Sequence, residues 1–154
     1  MEIKYFNGDV FNSDAQLILH GVNCLGVMGS GIAKTVKERF PNVYEEYHNL
    51  WEHTPVQKNL LGMAQKVDVS DDFAIVNCFT QEYCGCDGKR YTSYDAVAKC
   101  FEHVARNCKT HNIKKIALPH GMCSVRGGAC WDVVVEILKD SFKDTDITIE
   151  IWKY

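Results

Sequence analysis

The chain has 154 residues, 46% of them apolar, and a formal net charge of −3, enough length and hydrophobicity for one compact domain with a sizeable core. That charge gives no global electrostatic case for nucleic acid, although 17 Lys and Arg leave room for a local basic patch. The N-terminal MEIKYFNGD carries no long apolar core, and no run approaches the roughly 20 apolar residues of a membrane span, so a soluble cytoplasmic protein with no membrane partner is expected.

Ile3 to Phe6 reads as a strand, and so does Leu17 to Val22. A glycine-rich turn follows, with Gly26, Gly29 and Gly31. Ile32 to Phe40 is an amphipathic helix with Ile32, Ala33, Val36 and Phe40 on one face. Pro41 ends it or opens the next helix, Val43 to Trp51. Thr54 to Asn59 reads as a loop. Leu61 to Val67 and Phe73 to Phe79 are two strands around the polar turn Asp68–Asp72. Thr80 to Thr92 is a long polar loop of the kind that often carries function. Ser93 caps a helix reaching Thr110, with Tyr94, Val97, Phe101, Val104, Ala105 and Cys108 as its core stripe. Lys114 to Leu118 is a strand, Pro119 to Gly128 a second glycine-containing loop, Trp131 to Phe142 a helix and Ile147 to Trp152 the last strand. There are no repeats or linkers, so residues 1–154 read as a single domain.

Strands interleaved with helices imply a largely parallel sheet covered on both faces. Ligands of such sheets sit beyond the C-terminal strand ends, where the loops 24–30, 80–92 and 119–128 meet. The order strand, glycine loop, helix N-terminus makes a phosphate site, because the first helical N–H groups lack internal partners and the helix dipole favours an anion there. The spacing excludes two common motifs. Gly26-x-x-Gly29-x-Gly31 reverses the dinucleotide fingerprint, and Ile32-Ala33 intervenes before Lys34-Thr35 where a P-loop would place its lysine. Cys123 and Arg126 are too close in sequence for a cysteine-phosphatase loop. Eight cysteines in a chain with no secretory signal read as reduced thiols. The pair Cys84-Gly-Cys86 is too little for a zinc site, so no metal and no cofactor are expected.

Taken together, Gly8-Asp9-Val10, Val22-Asn23-Cys24, Gly26-Val-Met-Gly-Ser-Gly-Ile-Ala33 and Leu118-Pro119 followed by Gly127-Gly128 and Trp131 resemble the macro domain family over essentially the whole chain. The resemblance implies a three-layer α/β/α fold with a mixed, largely parallel sheet, binding ADP-ribose or a derivative. It implies that Asp9 accepts from the adenine amino group and Val10 lies beside the ring. Asn23 would contact the distal ribose, and the backbone of Gly29, Ser30, Gly31 and Ile32 would cradle a phosphate. The second loop, Cys123, Ser124, Val125, Arg126 and Gly127, would close over the other phosphate and the distal ribose.

The chain most resembles the branch containing ADP-ribose-1''-phosphate phosphatases and lysine-dependent ADP-ribosyl-glutamate hydrolases. The hydrolases carry a lysine where this chain has Gln81, and an aspartate where it has Arg126. An amide cannot form a Schiff base and a guanidinium is no general base, although Lys89 lies in the same long loop. The phosphatase resemblance, at His20-Gly-Val-Asn23-Cys24, implies an acid/base role for His20, the alternative being a core histidine that strand alternation turns away from the site, and His120 at the mouth of the second loop is another candidate. The expected function is removal of phosphate from ADP-ribose-1''-phosphate or a related metabolite. The alternatives are an ADP-ribosyl hydrolase acting on modified protein or nucleic acid, and a non-catalytic ADP-ribose binder. Nucleic acid is expected as a partner only when it carries ADP-ribose.

Overall fold

The computed structural model describes every residue of Met1–Tyr154 except Cys86. Among the described residues, six strands form one sheet: β1 (Glu2–Asn7), β2 (Leu17–Asn23), β3 (Ala64–Asp68), β4 (Ala74–Gln81), β5 (Lys115–Pro119) and β6 (Thr148–Lys153). Their order across the sheet is β1-β6-β5-β2-β4-β3. All neighbours are parallel except β3, which runs antiparallel to β4 at one edge. Four α-helices cover the two faces: α1 (Gly31–Arg39), α2 (Pro41–Glu52), α3 (Tyr94–Thr110) and α4 (Trp131–Phe142). This is the expected three-layer α/β/α arrangement.

The central strands are apolar on both sides because both sides are covered. Along β2, Leu17 and Leu19 join the core under α3 and α4, while Ile18 and Val22 join the core under α1 and α2. In β4, Ala74, Val76 and Cys78 face the first core, and Ile75 and Phe79 the second. The α3 stripe read from the sequence is buried from Val97 to Cys108, with Ala96 and Cys100 added, while Tyr94 stays half-buried. Ser93 caps α3 as expected, its Oγ accepting from Ala96 N at 3.1 Å.

Differences from the sequence reading have local causes. The strand expected from Leu61 begins at Ala64, because Leu61 closes a 3-10 turn over Gln57–Leu60 and Gly62 takes a φ of +92°. The loop expected from Thr80 is shorter, because β4 continues through Gln81, which bridges to Thr92. A second 3-10 turn, Val10–Asn12, is capped by Asp9, whose Oδ1 accepts from Phe11 N at 2.9 Å.

Chain direction places the cavity. After β2 the chain passes through α1 and α2 to the β3/β4 side of the sheet. After β5 it passes through α4 to β6 on the other side. Since β2 and β5 are neighbours, their exits diverge, and a crevice opens between them at their C-terminal ends.

Removing the α3 cap by Ser93→Ala is expected to lower unfolding free energy by about 1 kcal/mol. Urea unfolding should show a lower midpoint with an unchanged slope.

Candidate functional site

A cavity of about 300 Å³ occupies that crevice. One wall is the end of β2 and the segment 27–33, and the other is the loop 119–127 after β5. Thr80, Gln81 and Cys84 close it from the β4 side. Among the described residues no Asp or Glu lines it, and the charged or titratable side chains along its wall are His120, Arg126, Cys84 and Cys123.

The first wall is built to present N–H groups. A register shift between Val22 and Asn23 sets the end of β2 against Gln81, a bulge of the kind that re-aims a chain beside a site. Cys24 N then donates to Gln81 O at 3.1 Å and lies 3.2 Å from Glu82 O. Asn23 is held by its own loop, accepting from Leu25 N at 3.0 Å and donating to Val27 O at 3.1 Å. Gly31 starts α1 at φ +60°, a backbone that disfavours any side chain. The first helical bond runs from Lys34 N to Ser30 O at 3.2 Å, so the N–H groups of Gly31, Ile32 and Ala33 have no partner within the helix. The Ser30 side chain makes no capping bond. Lys34 points along α1 toward Glu38, 3.9 Å away, as its spacing implied.

The second wall is stitched to the long loop. Tyr91 N and Thr92 N both donate to Gly127 O, at 2.8 and 3.0 Å. Thr92 Oγ1 donates to Cys123 O at 3.0 Å. A Cβ on Gly127 would overlap Thr92 Oγ1 and Cys123 O, so only glycine fits. Cys123 itself takes φ +69°. Arg126 arches across the cavity, its Cγ 3.6 Å from where a Cβ on Gly31 would lie. It thereby adds a cation opposite the helix N-terminus.

Of the residues named from the sequence, the cavity gathers Asn23, Gly29, Ser30, Gly31, Ile32, His120, Cys123, Val125, Arg126 and Gly127. Asp9 and Val10 lie outside its lining. Val10 is buried in the core under α1, and the Asp9 Oδ2 pairs with Arg39 at 2.8 Å. Ser124 is not in the wall either; its Oγ is buried without a partner among the described residues. Lys89 is exposed, 3.9 Å from Asp87, and does not reach the cavity. Of the Cys84-Gly-Cys86 pair, Cys84 lines the cavity and Cys86 lies outside the described residues.

His20 is a correction to the acid/base expectation. Strand alternation turns it into the core beneath α1 and α2, where it is 1% exposed and touches no cavity surface. Its Nε2 lies 2.6 Å from Asn77 Oδ1, the neighbouring residue in the β2/β4 register. Burial holds this imidazole down to about 4, with Asn77 opposing weakly. His120, by contrast, lines the cavity, its ring tilted against Trp131 with centroids 5.0 Å apart. Burial pushes the thiol of the half-buried Cys123 up to about 12, opposed by a contact with Thr80 Oγ1 at 3.5 Å, which disfavours the thiolate that nucleophilic attack needs. Trp51 carries no signal in the sequence beyond packing. Its indole N–H donates to Cys24 O at 2.9 Å, behind the glycine loop.

The profile of the Macro domain family matches residues 19–138. The chain belongs to the Macro domain family. Among curated relatives, it is 27% identical over 150 residues to a DNA ADP-ribosyl glycohydrolase of Mycobacterium tuberculosis, covering 96% of this chain and 41% of that protein. It is 42% identical over 48 residues to an ADP-ribose 1''-phosphate phosphatase of Aspergillus oryzae, covering 30% of this chain and 24% of that protein. The chain thus spans less than half the length of these relatives, both of which are named as hydrolases. The macrodomain of Mycobacterium tuberculosis DarG superposes with a TM-score of 0.83 at 26% identity, covering 97% of this chain and 96% of that one. A protein from Bacteroides thetaiotaomicron superposes at 0.87 with 24% identity, covering 100% and 99% of the two chains.

The depressed His20 makes this macro domain acid-sensitive in a defined window. The unfolded chain takes up a proton near pH 6.5 and the folded chain only near 4, so stability is full above 6.5 and falls as pH drops toward 4. Urea unfolding at pH 7, 5.5 and 4.5 should show this fall, and His20→Gln should reduce its slope by up to about one proton. An unchanged slope in the variant would show that His20 is not neutral in the fold.

Proposed function

We propose that this macro domain binds the ADP-ribosyl group through its diphosphate and hydrolyses an ester at the distal ribose, with ADP-ribose-1''-phosphate or a close relative as substrate. The observation that carries this reading is the carboxylate-free cavity in which the free amides of α1 face Arg126. Such a cavity suits a ligand with several phosphate charges, and backbone N–H groups supply the attraction although the net charge is −3. Its volume of about 300 Å³ lies at the small end of ligand pockets. It accommodates the diphosphate and distal ribose, with adenosine extending outside toward Asp9.

In this reading water attacks the terminal phosphorus and the bond from phosphorus to the ribose 1'' oxygen breaks. His120 donates a proton to the departing oxygen, and inorganic phosphate leaves with the oxygen of the attacking water. Arg126 and the α1 amides offset the charge on the phosphates. Gln81 stands at the end of β4, its Nε2 donating to Tyr83 O at 2.8 Å, and supports no covalent chemistry through an amine.

A second reading has its own support. The DNA ADP-ribosyl glycohydrolases align with 96–99% of this chain, whereas the phosphatase of Aspergillus oryzae aligns with only 30%. Val27 and Val125 are also exposed on the cavity wall, at 47% and 82%. An apolar rim of this kind suits a substrate whose ADP-ribose is attached to a larger body such as a nucleobase.

Calorimetry should detect ADP-ribose binding, weakened by Asp9→Ala; no binding at high ligand concentration would refute both readings. Phosphate release from ADP-ribose-1''-phosphate should fall at least about tenfold in His120→Ala, if it acts as general acid. Equal rates would remove His120 from the mechanism. Parallel turnover of ADP-ribosylated DNA separates the readings: DNA turnover without phosphate release favours the second.

A further inference from the structure

Helix α2 does not touch the cavity, yet it holds the loop that forms the cavity's first wall. Four of its side chains, Tyr44, Tyr47, His48 and Trp51, recur at the i, i+3, i+4 and i+7 spacing of a single helix face. Each places a polar atom on the chain between Asn23 and Val27. Trp51 Nε1 donates to Cys24 O at 2.9 Å. His48 Nδ1 lies 3.1 Å from Gly26 O, and Tyr44 Oη 3.4 Å from the same atom. Tyr47 Oη sits 2.9 Å from Asn23 O, 2.8 Å from Asn23 Oδ1 and 3.4 Å from Val27 O. Gly26 is required beneath this face, because a Cβ there would lie 2.6 Å from the Trp51 ring.

We propose that Tyr47, His48 and Trp51 are positioning residues that set diphosphate affinity by holding the carbonyls of the glycine loop away from the cavity; this rests on the ADP-ribose reading above. In a trans peptide the C=O and the next N–H point in opposite directions. The Gly26 carbonyl drawn onto His48, and the Val27 carbonyl shared between Tyr47 Oη at 3.4 Å and Asn23 Nδ2 at 3.1 Å, therefore turn the N–H groups of Val27 and Met28 away from α2, toward the side where both residues line the cavity. Without these donors the loop could rotate a carbonyl into the cavity, where it would repel a phosphate. The fixed orientation also means that little rearrangement accompanies binding.

Tyr47→Phe keeps the ring and removes the donor; Trp51→Phe removes the donor and keeps an aromatic side chain, though a smaller one. Each is expected to weaken ADP-ribose binding about fivefold, the scale of one lost hydrogen bond, and to speed amide hydrogen exchange across residues 24–32. Ile147→Val, which costs stability at the opposite end of the sheet, serves as control and should leave affinity unchanged. If the control weakens binding as much, or if both Phe variants bind like wild type, the positioning role is overturned. If wild type itself binds no ADP-ribose, the functional reading fails, and exchange over 24–32 still decides: unchanged exchange in both variants refutes the holding of the loop by α2.

Discussion

The structure depends on the pairing of β2 with β4 in parallel at the middle of the sheet. Both strands are buried along nearly their whole length, so neither can slip by a residue without turning an apolar side chain out of one core and into the other. That register puts His20 beside Asn77 and ends the two strands together. The single irregularity, between Val22 and Asn23, falls at the C-terminal end, where the chain must leave the sheet. Everything at the cavity follows from that exit: Cys24 bonds back to Gln81, the glycine loop turns over α2, and α1 begins with its open end facing the crevice.

A sheet covered on both faces leaves few places for polar side chains, and those present are handled by chains of hydrogen bonds. Asn77 accepts contact from His20 and donates to Gln65 Oε1 at 3.1 Å, and Gln65 in turn donates to the backbone of α2 at Glu46 O. The link runs across β2, β4 and β3 to a surface helix, so a buried imidazole is tied to the layer that carries the loop-holding side chains. On the other side of the sheet centre, Glu150 is 4% exposed and is met by Ser13 Oγ at 2.5 Å and Trp152 Nε1 at 3.0 Å. Lys115 lies 3.7 Å away. A buried carboxylate stays only where such partners surround it, and here they pin the turn after β1 against β6.

What was legible in the sequence was what periodicity and glycine encode. Trp131–Phe142 is the helix its apolar face implied, and Gly26, Gly29 and Gly31 do lead into a helix N-terminus. Both 3-10 turns escaped, because three or four residues carry no period. His20 had two readings, acid/base by family resemblance and core by strand alternation; which held depended on which face of the sheet the strand turned it to, a tertiary fact. Trp51 carries no signal in the sequence beyond packing, and Tyr47 is one unmarked residue of its helix. Their N–H and O–H groups acquire meaning only when the loop they meet is known. Gln81 and Arg126 could be located in the sequence, but that Arg126 crosses the cavity toward Gly31 required the geometry.

The cysteines show how a residue's chemistry is set by place. Cys78 and Cys100 are fully buried in the core under α3 and α4, and Cys123 packs against that core from the cavity floor. A side-chain hydrogen bond with Cys100, and then burial, push the Cys78 thiol well up, and burial raises Cys24 and Cys123. A thiol held protonated is a poor nucleophile and a poor metal ligand. In these positions the small side chain is what matters: a Cβ on Gly21 would lie only 3.2 Å from Cys123 Sγ, so β2 and the second loop approach more closely than larger residues would permit.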